Sequence, residues 1–232
     1  METHNSTYRP VAAESAVVRA TFIRKTYMHL ALAVALFAGI EYVLLQIPIV
    51  VETMLATISG FSWILVIFAF MFVTNFAESL AARATSKATQ YAAFGLFVLA
   101  EALIFLPIIF IGIATTGSVE LIAQAGTLTL FLFTGITAVV FITGEDFSML
   151  RSILSIGGML AIGLIVGGWA FGFTLGLWFS ILMVGLAAGA ILYQTSQIMY
   201  HYHTEQYVAA SLGLFGAIML MFWYILRIMS SD

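Results

Sequence analysis

The sequence contains no cysteine, and only 8% of its 232 residues are charged. Without cysteine there are no disulfides, no thiol nucleophile and no cysteine-ligated metal, and no redox compartment can be read. A soluble domain of this size carries about a quarter charged residues to keep its surface wet. So few charges exclude an ordinary water-facing surface. The formal net charge of −3 points to neither a nucleic acid nor any other strongly charged partner. Three enzyme signatures are also missing: a glycine-rich phosphate loop, a serine elbow and a His-Glu-x-x-His zinc motif. A rhomboid-like protease needs a Gly-x-Ser nucleophile within a helix and a histidine in another. His29 is the one histidine inside an apolar run, and no such serine accompanies it. Nothing in the sequence supports an enzyme, a cofactor or a metal centre.

What is present is apolar. Hydrophobic residues make up 62% of the chain, and its mean hydropathy is +1.10. Only helices and closed barrels satisfy every backbone polar group inside hydrocarbon. Barrel strands alternate apolar and polar residues over about ten positions, whereas these runs are continuously apolar for about twenty, the length of a spanning helix. The reading is an all-α integral membrane protein with seven transmembrane helices. The spans fall near 27–47, 60–77, 90–113, 121–143, 152–172, 174–198 and 207–228. Ser59-Gly60, Thr115 to Ser118 and Thr143 to Asp146 supply the breaks. The boundary at Phe171 to Thr174 is short, and one long broken helix is the alternative there. Residues 1–26 read as a polar tail and 27–232 as the transmembrane domain. The tail lacks the short apolar core and small-residue cleavage site of a secretory signal.

Orientation follows from lysine and arginine, which concentrate in cytoplasmic loops. Arg9, Arg19, Arg24, Lys25, Arg83, Lys87 and Arg151 share one side, and Arg227 alone falls on the other. Loops 48–59, 114–120 and 172–174 carry no basic residue. The expectation is a cytoplasmic N-terminus and a periplasmic C-terminus.

Ionisable groups in hydrocarbon cost several kcal/mol and mark a function or a buried polar network. Glu101, well inside the third span, is the clearest case, and Glu41 lies deep in the first. The bland alternative for both is a neutral, hydrogen-bonded structural acid. Glu78, near the inner end of span two, is placed to reach the headgroups. His201, His203 and Glu205 crowd one short loop, which reads as a solvated surface rather than a metal site. Trp63, Trp169, Trp178 and Trp223 suit interface anchoring or packing. Gly163/Gly167, Gly168/Gly172, Gly172/Gly176 and Gly185/Gly189 are four apart, a spacing that lets helices approach closely.

In the last third, Ile191 to Ile198 (ILYQTSQI), Tyr207 to Leu212 (YVAASL) and Trp223 to Arg227 (WYILR) resemble the signature of the Bax inhibitor-1 family. Glu101-Ala102 followed by Leu106-Pro107 is similar to the family's third-helix stretch. Arg24 to Tyr27 and Phe147 to Gly158 look like bacterial, YccA-type members. The resemblance implies a seven-helix Bax inhibitor-1-like bundle in the bacterial inner membrane. Proton- and calcium-responsive members use an aspartate pair on helices six and seven. Here those positions hold Gln194 and Ala217, so no carboxylate dyad exists. The YccA branch implies a non-enzymatic modulator of the FtsH membrane protease or of stress tolerance, engaged through the N-terminal tail. The alternative is a calcium or proton leak using Glu101, with Glu41 and Gln194.

Overall fold

The computed structural model describes residues 9–58 and 61–230, so the Ser59-Gly60 break and residues 1–8 of the tail lie outside the described residues. After a 3-10 turn at Val11–Ala13 the chain forms α1 (Ala16–Leu44), α2 (Pro48–Thr57), α3 (Phe61–Arg83), α4 (Lys87–Thr116), α5 (Glu120–Thr143), α6 (Leu150–Phe171), α7 (Leu177–Tyr200) and α8 (Tyr207–Met229). All but α2 are long and apolar enough to cross a bilayer, which makes the chain a multi-pass membrane protein with seven candidate spans. The long helices alternate in direction. One end of the bundle, here the basic end, gathers Arg83, Lys87 and Arg151. The far end holds Phe61, Thr116, Phe171 and Arg227.

Helix α8 is the axis. It packs against α1, α3, α4, α5 and α7 and is buried from Tyr207 to Phe215 without a break. Small residues make that possible: Ala209, Ala210, Ser211, Gly213, Gly216 and Ala217 let neighbouring backbones close in, the route by which helices associate when lipid is as apolar as they are. Helix α6 lies at the periphery and packs chiefly on α7.

Three helix ends use glycine for its left-handed backbone. Gly117, Gly144 and Gly172 have φ of 71°, 63° and 73°. The Gly117 and Gly144 N–H groups close their helices on the carbonyls of Ile113 and Val140 at 2.8 and 2.9 Å. Gly172 settles the short boundary: α6 ends at Phe171, α7 begins at Leu177, and the turn folds back so that the Phe173 carbonyl would lie 3.0 Å from a Cβ on Gly168.

The structure departs from the sequence reading in three places. Helix α1 starts at Ala16, eleven residues ahead of the apolar run, because Ser15 caps it by accepting from the Val18 N–H at 3.4 Å. The 48–59 loop contains α2, with Pro48 in its first turn; ten residues rise only about 15 Å, too short to span. The four-apart glycine spacing accounts for the packing only in part, since of its members only Gly168 and Gly189 meet close neighbours. A Cβ on Gly163, Gly172, Gly176 or Gly185 would meet nothing within 4 Å, whereas one on Gly157 would lie 2.6 Å from Leu186 and one on Gly189 3.2 Å from Leu154. The α6–α7 approach runs through Gly157 and Gly189.

Candidate functional site

Glu101 sits midway along α4 beside the axis helix and is only 4% exposed. It can be there because α8 carries glycine opposite: a Cβ on Gly216 would lie 3.3 Å from the Phe97 ring and 3.9 Å from Glu101 Oε1. The carboxyl borders a cavity of about 470 Å³ lined by α3, α4, α6, α7 and α8. Among the described residues it makes no hydrogen bond. The lining runs from Thr74, Asn75 and Glu78 towards the basic end to Trp63, Trp223 and Arg227 at the far end. Arg227 Nη2 donates to the Leu175 carbonyl at 3.0 Å, tying α8 to the α6–α7 turn. Trp223 lies edge-on to Phe105 at 5.0 Å and stacks on Trp63 at 6.3 Å.

Gln194 on α7 and Ala217 on α8 are the residues expected at the family's aspartate positions. Gln194 projects from α7 into the space left by Gly213, where a Cβ would stand 2.8 Å from Nε2 and 2.9 Å from Oε1. Its Oε1 is buried without a hydrogen-bond partner. Ala217, one turn beyond Gly213, is 7% exposed and has no polar group to offer. Neither residue lines the Glu101 cavity.

Glu41 is not part of that cavity either. It is 4% exposed on α1, and both carboxyl oxygens are buried without a partner. A polar route joining Glu41, Glu101 and Gln194 is therefore not assembled in this conformation. The cavity instead gathers residues that the sequence marked for other roles: Glu78, expected to face headgroups, Arg227, and Trp63 and Trp223. Only the packing of three helices, α3, α4 and α8, brings positions 78, 101 and 227 to one cavity.

The histidine-rich loop is built into the basic end. His201 Nε2 lies 2.7 Å from Asp146 Oδ2, and Asp146 Oδ1 accepts from Ser196 Oγ and from the Ser148 N–H, each at 2.9 Å. Ser196 Oγ in turn accepts from the Phe147 N–H at 2.9 Å, and the Tyr200 hydroxyl donates to the Gly144 carbonyl. Slight burial opposes the charge on Asp146, but the Ser148, Ser196 and His201 contacts together outweigh it and hold its pKa below the usual aspartate value. His203 Nδ1 contacts the Arg9 carbonyl at 2.9 Å, and Glu205 pairs with Lys87 at 2.7 Å. The hydrogen bond from Lys87 is the main reason that the Glu205 carboxyl titrates below its ordinary value. The three side chains thus turn to three different partners. Among the described residues no three His, Cys, Asp or Glu side chains gather as a metal site.

The chain ahead of α1 is docked too. The Val11 N–H donates to the Tyr202 carbonyl at 2.8 Å, and Val11 is fully buried. From Pro10 onward the segment read as an exposed tail lies against the bundle or is already helical.

A seven-span bundle closed around a buried, small-residue axis helix, with a buried acid beside that axis, defines a polytopic helical membrane protein. The chain belongs to the Bax inhibitor-1 family: the family model described as inhibitor of apoptosis-promoting Bax1 matches residues 19–232. No curated protein matches the chain.

Proposed function

We propose that this Bax inhibitor-1 family member is a non-enzymatic proton leak in a bacterial inner membrane, with Glu101 as the group that takes up and releases the proton. One observation carries the reading: Glu101 is almost wholly buried, has no hydrogen-bond partner among the described residues, and borders a cavity reaching from Glu78 to Arg227. An intramembrane carboxyl costs stability, so its presence marks a functional site by default. A single carboxyl suffices to relay a proton, whereas calcium takes six to eight oxygen ligands. The missing aspartate pair removes the calcium-responsive gate that the family resemblance implies elsewhere, and it leaves Glu101 as the titratable group at the axis.

Purified protein in liposomes should pass protons faster than empty liposomes under an imposed pH gradient. Glu101→Gln should lower that rate at least tenfold, and calcium flux should stay at background. Equal proton flux in wild type and Glu101→Gln would remove the proposal.

A second reading, modulation of an FtsH-type membrane protease through the N-terminal segment, draws on a separate observation. Residues 1–18 precede the region matched by the family model. The Val11–Tyr202 contact would have to open before a protease could draw the segment in. Deleting residues 1–9 should then abolish protease association and leave proton flux unchanged.

A further inference from the structure

We propose that the cavity beside Glu101 is a binding site for lipophilic organic cations that enter sideways from the bilayer. The volume, about 470 Å³, lies within the range of small-molecule sites, about 300–1,000 Å³. Its walls are rich in aromatic faces: Trp63, Phe70, Phe97, Phe105 and Trp223. Such faces attract cations, most strongly where water is excluded.

The charges point the same way. Two carboxyls, Glu78 and Glu101, border the space, and the one cationic side chain among its described lining residues, Arg227, donates to the Leu175 carbonyl at the far end. An anionic ligand would meet like charge. A neutral ligand would leave Glu101 without a partner in an apolar surround, which is costly for a polar group. A small metal ion would need a shell of oxygens that ring faces do not supply. A large cation with its charge spread over an apolar body needs no such shell, and it offers Glu101 the counter-charge that the protein withholds.

Access is lateral. Helices α3 and α6 both line the cavity but do not pack along their length. Their aromatic contact is Phe61 on Trp169, 5.4 Å between centroids, at the far end. Below that contact the gap between α3 and α6 is where the proposed entry from lipid, where lipophilic cations concentrate, would lie. The site shares Glu101 with the proton-leak reading but stands without it.

Tetraphenylphosphonium is a suitable probe, because its charge is fixed and its body apolar. Titrated into the full chain in lipid nanodiscs, it should bind saturably, one per chain, and quench tryptophan fluorescence through Trp63 and Trp223. Neutral triphenylphosphine oxide should bind at least tenfold more weakly. Glu101→Gln should weaken the cation at least tenfold. Gly158→Leu should do the same without changing any charge, because Gly158 lines the cavity and a Cβ there meets nothing within 4 Å. Non-saturable uptake, or equal affinity in wild type and both variants, would overturn the proposal. Saturable, Glu101-dependent binding in a protein that passes no protons would uphold this site and remove only the leak. Proton flux beside non-saturable uptake would do the reverse.

Discussion

Helices α6 and α8 have the same mean hydropathy, 2.0 over their most apolar windows, yet 11% of the α6 window is buried and 78% of the α8 window. In water such a difference would show in composition, because an exposed helix needs a polar face. In a bilayer, lipid accepts the side chains that a core accepts. What separates the two helices is where their small residues point. Gly213 and Gly216 of α8 face Gln194 and the Phe97–Glu101 pair, whereas Gly163 of α6 faces open space. The polar chemistry follows the same division. Glu101 and Gln194 are held against α8, and α6 contributes an apolar wall.

The strongest challenge to this comparison is to remove the same side chain from each helix. Phe215 of α8 is fully buried and Phe171 of α6 is 83% exposed. Phe215→Ala should destabilise the bundle by about 3 kcal/mol, the low end for a buried phenylalanine, since lipid offsets part of the transfer loss. Phe171→Ala should stay within about 0.5 kcal/mol of wild type. Reversible unfolding in mixed micelles would measure both, and equal effects would break the comparison.

Adding volume sharpens it from the other direction. Gly213→Leu drives a side chain into the Gln194 amide and should cost about 1–3 kcal/mol, the usual penalty for overpacking. Gly163→Leu meets no neighbour and should be neutral or slightly stabilising, since leucine is the better helix former. Thermal unfolding of the two variants side by side is the check.

The smallest expected effect concerns how peripheral α6 is held. Its junction with α5 is fastened to the end of α7 by Asp146. The folded-state pKa of Asp146 is lowered, so its contribution is fully present above the unfolded value, about 3.9. That contribution is lost as pH falls through the lower folded value. Wild type should lose thermal stability across that acid window relative to neutral pH. Asp146→Asn should start slightly lower at neutral pH and lose less on acidification. Parallel acid profiles would assign no role to this carboxylate.

How much was legible beforehand varied by feature. The seven spans could be read because hydrocarbon leaves a backbone few choices, and Gly117, Gly144 and Gly172 were visible as breaks. Helix α2 was hidden, because ten residues opening on Pro48 and interrupted by Glu52, Thr53 and Thr57 look like any short loop. The early start of α1 was hidden too: Arg19, Arg24 and Lys25 lower hydropathy without discouraging a helix. Glu101 stood out as a charge in an apolar run. Its cavity did not, since that depends on Gly216 facing it and on α3 and α6 standing apart.

Membrane residence and the number of spans thus came from the order of residues alone, as did the expectation that Gln194 and Ala217 stand in place of the family's aspartate pair. Each rests on a local property: apolar length, or the chemistry of one side chain. Tertiary structure decided which helix became the axis, which glycines carried contacts, and that Glu101 shares a cavity with Glu78 and Arg227 rather than with Glu41. Lipid and protein interior are equally apolar to a side chain, so only close packing between helices distinguishes the centre of this bundle from its edge.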